Sequence, residues 1–362
     1  MKVLLVRANP RKTGYTQRLI ELFLQGLRQT PAEITDVDLT GQNLLPCRGC
    51  YHCWVVTPGR CVHSDNMPAL LERILEADVM VCATPLYFYS MSSALKVFFE
   101  RTLPLTQAGL HSSPGGMVRK NPRYPEQWHG KRLITIIAGA FNDPAVLRPA
   151  NETFQLIAGG LNLELGGQLT RPESYLLDYP LSKPKTLKRV ETAFIQAGRE
   201  AGATGRLSAE TMTAASLPLA ADLEHFCAYS NLYWAQAVQM GEQGQVPANV
   251  QARVSTDVRI LIREMARSLD PRAAARTRAV LQFDFPDQRL QFRVTVDRGH
   301  ARVEETATAQ PDLRVRCEAG VWAKVFLRQL NVRQALLDRQ LVLEGDKSLF
   351  TRLDRLFPPP SA

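Results

Sequence analysis

Apolar residues in the first half of the chain fall in short continuous runs, and segments of helical period separate them. Lys2–Arg7 and Val79–Ala83 are unbroken strand-type runs, as are Leu133–Ala138 and Leu163–Leu169, while Ile34–Leu39 is a strand with an acidic edge. Between them, Thr16–Arg28 carries Leu19, Phe23 and Leu27 on one helical face, and Ala69–Glu76, Ser92–Thr102 and Asn151–Gly159 repeat the period. Strands that are apolar along their whole length, alternating with helices, predict an α/β, doubly wound parallel sheet covered on both faces. One stretch breaks the rhythm. Leu103–Lys131 is rich in Pro, Gly and Ser and is too long for a plain connection, which predicts a lid or an interface arm.

After about Gly198 small residues dominate, and a helix ending near Gly241 closes the first domain, 1–241. Residues 242–254 are rich in Gln, Gly and Pro and predict a linker. In 255–362 a helix over Val258–Ser268 precedes strands at Val280–Phe285, Leu290–Asp297, Arg302–Thr306 and Leu313–Cys317. Helices follow at Val321–Arg328, Val332–Arg339 and Leu349–Leu356, so this part reads as a smaller α+β domain.

The chain has 362 residues, 45% hydrophobic and 22% charged, which is ordinary for a globular protein of two cores. The formal charge of +9 comes from arginines and lysines spread along the chain, with no basic block beside an aromatic ladder, and this argues against a nucleic-acid groove. No apolar stretch approaches the ~18 residues of a membrane span, and the opening run KVLLV is too short and wrongly flanked for a signal peptide. The expected location is the cytoplasm.

That compartment changes the meaning of the cysteines. Four of seven, Cys47, Cys50, Cys53 and Cys61, form a C-x2-C-x2-C-x7-C array, while Cys82, Cys227 and Cys317 are isolated. In a reducing environment such an array serves soft-ligand or thiol chemistry better than disulfides. Spacing alone leaves three outcomes open: an iron–sulfur cluster, a zinc ion, or free redox-active thiols.

Two loops carry the remaining chemistry. Directly after the first strand, Ala8–Gln17 leads into a helix; Asn9, Thr13 and Thr16 offer hydrogen bonds, Gly14 a tight turn, and Arg11 and Lys12 positive charge. A phosphate rests well at such a strand–loop–helix junction. Neither G-x-G-x-x-G nor a Walker A loop is present, which favours a mononucleotide over a dinucleotide or ATP, although an ordinary polar turn has the same composition. After Val79–Ala83 the chain runs through Pro85, Leu86, Tyr87, Phe88, Tyr89, Ser90 and Met91, a rigid turn followed by aromatic and thioether surface. At the carboxyl end of a parallel strand that surface suits a flat heterocycle; taken singly, each aromatic is equally a core or dimer contact.

Together these residues resemble the flavodoxin-like NAD(P)H-dependent FMN reductases and the related iron–sulfur flavoproteins. The resemblance rests on Asn9-Pro10-Arg11-Lys12-Thr13-Gly14-Tyr15-Thr16, the segment Cys47 to Met67, and Thr84 to Ser90, in that order. It implies a flavodoxin-like fold and FMN, with the phosphate on Asn9, Arg11, Lys12, Thr13, Gly14 and Thr16. The ring would lie beside Pro85, Leu86, Tyr87, Phe88, Tyr89 and Ser90, with Ala138, Gly139, Ala140 and Phe141 as a third edge. The chain departs from the family pattern at Asn9, Tyr15 and Asn66, where Ser, Asn and Asp are usual. NAD(P)H is the implied co-substrate, the electron acceptor is a small molecule or a protein, and a homodimer is expected. The flavin carries the chemistry, so no catalytic acid or base is needed, and His52, His63, His111 and His129 read as surface or loop residues. The iron–sulfur flavoproteins place a [4Fe–4S] cluster on an array like Cys47, Cys50, Cys53 and Cys61.

The second domain resembles the sterol-carrier-protein fold through Asp312, Trp322 and Leu343-Glu344-Gly345-Asp346. The resemblance implies an apolar tunnel that Trp322, Val325, Phe326, Leu330, Leu336, Leu337, Leu349, Phe350 and Leu353 would line; the same side chains would also fill a small core. A reading of a different class is a lipid- or acyl-binding protein whose first domain is a non-catalytic platform.

Overall fold

The structure is a computed structural model that describes residues 1–112, 118–178, 184–220, 222–242 and 256–358. It divides into two compact units, one of Met1–Leu177 with Thr186–Leu219, the other of Asp178–Lys185 with Ala220–Ala362.

The first unit is built on five parallel strands, β1 (Lys2–Arg7), β2 (Glu33–Asp38), β3 (Val79–Pro85), β6 (Arg132–Ala138) and β7 (Glu164–Arg171), in the order β2-β1-β3-β6-β7. Every residue of β3 from Val79 to Thr84 is buried, which explains why the run is apolar without alternation: helices cover both faces. The chain leaves β1 for β2 on one side and reaches β3 on the other. That reversal opens a crevice at the carboxyl ends of β1 and β3, the switch point at which open α/β sheets take ligands.

Helices α1 (Tyr15–Leu27), α2 (His52–Val55), α3 (Met67–Glu76), α4 (Ser93–Glu100), α5 (Pro125–Trp128), α6 (Arg148–Gly160), α7 (Pro184–Thr204) and α8 (Ala209–Ala215) connect or cover these strands. The stripe of α1 is buried at Leu19, Ile20, Phe23, Leu24 and Leu27, as its 3.6 period predicts. The stretch 103–131 is not an irregular loop. It contains an antiparallel hairpin, β4 (Thr106–Ser112) with β5 (Val118–Pro122), whose strands lack the alternation by which a half-buried hairpin is read, because most of their residues are exposed or only partly covered. Residues 113–117 lie outside the described residues.

The second unit holds the helix Leu223–Glu242 and, after the predicted linker, of which 243–254 lie outside the described residues, the helix Val258–Arg267. Its mixed sheet consists of β8 (Arg278–Phe285), β9 (Leu290–Asp297), β10 (His300–Glu304), β11 (Leu313–Cys317) and β12 (Leu341–Gly345), in the order β10-β9-β8-β11-β12. Only β8 and β11 pair in parallel. The strand β12 is a structural finding: five residues after a helix-rich run give too short a pattern to read. Its last residue explains part of the Leu343-Glu344-Gly345-Asp346 motif. Gly345 has φ of 89°, a Cβ there would sit 2.4 Å from the Asp312 carbonyl oxygen, and the Asp346 N–H donates to that oxygen at 2.7 Å. Asp346 then caps the next helix, its carboxylate accepting from the Ser348 N–H. No described helix is long and apolar enough to cross a membrane.

Candidate functional site

Three loops meet at the carboxyl ends of β1, β3 and β6. The Ala8 N–H donates to the Ala83 carbonyl at 2.9 Å, the Ser92 hydroxyl donates to the Ala8 carbonyl at 2.8 Å, and the Leu86 N–H donates to the Ala138 carbonyl at 2.8 Å. The backbone of the switch point is thus stitched together by its own hydrogen bonds.

In the first loop Asn9 is buried. Its Nδ2 donates to the Arg11 carbonyl and to Gln17 Oε1, while its Oδ1 has no partner. The helix α1 begins at Gly14 with no side-chain cap and no acidic residue in its first turn. A helix start whose N-cap residue offers no side chain, together with the positive dipole end, suits an anion, and the orphaned Asn9 acceptor suits a hydroxyl beside it. A phosphate on a polyhydroxylated chain offers both, which is the tail of FMN. Thr16 is buried within the first turn, and Arg11 and Thr13 are exposed. Lys12 is not free to meet a phosphate as it stands: it pairs with Asp38 and reaches the Thr40 hydroxyl.

The second loop is a two-residue hairpin turn. Tyr87 and Ser90 exchange N–H···O bonds of 2.9 and 3.0 Å, and the central residues Phe88 and Tyr89 sit at φ of 46° and 62°. Turns with both central residues left-handed normally use Asn-Gly; two aromatics there are strained. Phe88 is 99% exposed, with Tyr87 and Tyr89 beside it also open. Strain held in place at an exposed aromatic loop is the pattern of a ligand clamp. Replacing Phe88-Tyr89 by Asn-Gly is expected to raise unfolding free energy by about 1–2 kcal/mol while weakening FMN retention, measured by chemical denaturation of apoprotein and by flavin content.

The third loop is held from below. Gly139 donates to the Arg171 carbonyl and accepts from the Ser174 N–H, both at 2.9 Å, and Phe141 accepts from the Glu173 N–H. Arg171 is fully buried, donates to the Ala215 and Leu217 carbonyls and lies 3.5 Å from Glu173. Burial pulls its pKa down to about 10, against the pull of Glu173. Neither residue is legible as a site residue in the sequence; a charged pair two apart at a strand end reads as surface.

The four cysteines of the array line one pocket, with Arg101, His63 and Tyr51. Cys53 is buried in α2, Cys50 is exposed, and Cys47 and Cys61 are intermediate. Burial raises the Cys53 pKa, and Cys61, Cys47 and Cys50 add to it, as four thiols in one place must. Among the described residues no group of three or more His, Cys, Asp or Glu converges as a single ion would require. A cluster holds its four thiolates further apart than one ion does, and the donor set of four cysteines is right for it. The pocket is collapsed to about 20 Å³, room for roughly one water. The base of the β4–β5 hairpin is tied to this segment: Trp54 donates to the Leu103 carbonyl, and Lys120 lies 5.0 Å from the Trp54 ring.

In the second unit a cavity of about 930 Å³ is lined by every residue expected to form a tunnel except Leu349. Trp322 is buried, its ring lies tilted 4.9 Å from that of Phe283, and its Nε1–H has no partner.

Residues 1–146 match the NADPH-dependent FMN reductase family. Residues 259–358 match the SCP-2 sterol transfer family. An iron-sulfur flavoprotein of Archaeoglobus fulgidus is 29% identical over 104 residues, 29% of this chain and 46% of that one; another, from Methanocaldococcus jannaschii, is 31% identical over 105 residues, 29% of this chain and 53% of that one. The chain thus spans about half the length of these curated relatives. A Bacillus subtilis protein named as an NAD(P)H-dependent FMN-containing oxidoreductase is 24% identical over 49% of this chain and 91% of its own. An FMN-dependent NADH-azoreductase of Bacillus anthracis, solved with FMN, aligns at 13% identity over 56% of this chain and 99% of that chain, with a TM-score of 0.44. The flavin-reductase family match takes in all three loops and the cysteine segment.

Proposed function

We propose that this chain is an FMN-dependent oxidoreductase that takes hydride from NAD(P)H and passes the electrons to an acceptor. The observation that carries the reading is the uncapped start of α1 beside the orphaned Asn9 oxygen, set at the switch point between β1 and β3. Bound there, FMN supplies hydride acceptance at N5 and onward electron transfer. The chain's own work is binding and exclusion of water. The Gly14–Thr16 backbone and the Thr13 and Thr16 hydroxyls hold the phosphate, and Arg11 adds charge. Tyr87, Phe88 and Tyr89 cover the ring, while Gly139 lets the third loop pack close on Leu147 and Leu86: a Cβ there would meet them at 3.2 and 3.5 Å. A homodimer is part of this reading, because exposed Phe88 and Phe141 leave the aromatic wall open to a second copy.

A second reading is favoured by the four cysteines lining one pocket: they take a [4Fe–4S] cluster, and the protein is an electron carrier of the iron–sulfur flavoprotein kind. The cavity at Trp322 suits an apolar ligand with one hydrogen-bond acceptor. Anaerobically purified protein tests all of this. The expected result is a yellow protein with a flavin spectrum that NAD(P)H bleaches, and about tenfold or greater loss of FMN affinity in Thr16→Val, from a lost charge-assisted hydrogen bond. A colourless protein that takes up no FMN sinks the proposal; if it still binds a fluorescent fatty acid, the acyl-binding reading stands in its place.

A further inference from the structure

A buried ion pair that the flavin site does not use lies against the cysteine pocket. Arg101, the residue after α4, is 1% exposed at its side chain and Asp65 is 0%. The guanidinium grips the carboxylate with Nη1 at 2.6 Å and Nη2 at 3.0 Å, and Nη1 also donates to the Leu45 carbonyl at 2.5 Å. Asp65 in turn accepts from the N–H groups of Leu45 and Met67. Leu45 precedes the first cysteine of the array and Asp65 follows the last, so the pair closes the base of the cysteine segment.

One donor is left over. Arg101 Nε–H has no hydrogen-bond partner although the side chain is fully buried, and Arg101 lines the pocket with all four cysteines. A buried guanidinium donor without an acceptor is costly, and such orphans mark a missing partner. Cys61 lines the same pocket as this guanidinium. Hydrogen bonds to the sulfurs and nearby charge are the levers by which a protein sets the potential of an iron–sulfur centre.

We propose that Arg101 is a positioning residue of the cysteine site: its Nε–H donates to the Cys61 sulfur of a [4Fe–4S] cluster, and its charge raises the cluster's reduction potential. Through Asp65 and Leu45 the same side chain fixes the ends of the segment that carries the four cysteines. This rests on the cluster reading above.

The test compares full-length wild-type protein with R101K and R101M after anaerobic loading with ferrous iron and sulfide. A wild-type chain that takes up neither overturns the cluster reading, and the role of Arg101 with it. In a loaded wild type, the expected result for R101M is about tenfold faster cluster loss to a chelator. Its one-electron reduction equilibrium should also become about tenfold less favourable, a downward shift of about 59 mV in a redox titration. R101K, which keeps the charge without the Nε donor, is expected to recover most of the potential but not the retention. Because R101M leaves Asp65 buried without its cation, the D65N/R101M double variant is measured in parallel, and its potential should fall as far as that of R101M. Wild-type retention and potential in the two Met variants would show that Arg101 serves folding alone.

Discussion

Asp65→Asn is expected to lower the unfolding free energy of the protein by about 3–5 kcal/mol, because it leaves the Arg101 charge buried without its counter-ion. The pair is enclosed on both sides, so solvent neither screens it nor compensates its loss. Burial alone would raise the Asp65 carboxyl, but the Arg101 guanidinium and the N–H groups of Leu45 and Met67 outweigh burial and hold it at about 2. A carboxyl depressed on folding stabilises above its unfolded pKa, near 4, and the contribution disappears as pH falls toward 2. The shift is worth about 2 kcal/mol. Because pH 3 still lies above the folded pKa, urea unfolding at pH 6 and pH 3 should show only about half of that, about 1 kcal/mol, in the wild type, and the variant should lack this share. Equal midpoints for wild type and D65N at pH 6 would mean that the pair adds nothing. The D65N/R101M variant is expected to regain part of the loss, since both charges leave together.

Gly198→Ala is expected to cost about 3 kcal/mol and to lower FMN content with it. The helices α1 and α7 pack backbone against backbone through a reciprocal pair of glycines. A Cβ at Gly198 would lie 1.9 Å from the Phe23 carbonyl oxygen, and one at Gly26 would lie 1.7 Å from that of Ile195. Alanine improves helix propensity by about 1 kcal/mol, which is smaller than the cost of driving two buried helices apart. Because α1 carries the phosphate loop at its start, moving the helix moves the donors. Guanidinium denaturation and the flavin-to-protein ratio measure the two effects; a variant as stable as wild type would mean that the helices separate without penalty.

The parts of this protein that were legible in the chain are those whose burial is a local property. The strands β1, β3 and β6 are enclosed on both faces, so they had to be apolar throughout, and α1 had to repeat every 3.6 residues. The Asn9–Thr16 loop, the four-cysteine segment and the Pro85–Ser90 loop stand out in the chain as compact runs of residue types that packing alone does not call for, and the structure sets the first and the last at the carboxyl ends of β1 and β3. The hairpin of β4 and β5 was not, since mostly open strands carry no alternating pattern. Nor was the left-handed turn at Phe88-Tyr89, which lacks the Gly or Asn by which such a turn is recognised.

Charged residues gave the least away. Arg101, Asp65, Arg171 and Glu173 belong to types that are mostly exposed, and all four are buried. Arg101 and Asp65 are 36 positions apart, and a pairing across that distance leaves no trace in either residue's own neighbourhood. The sequence by itself determined a parallel α/β sheet with its candidate loops at the strand ends, a separate α+β unit, and a set of four soft donors. Only the tertiary structure decided that those donors share one pocket with a buried arginine that has a donor to spare, because residue types are read locally while partners are set by how distant elements pack.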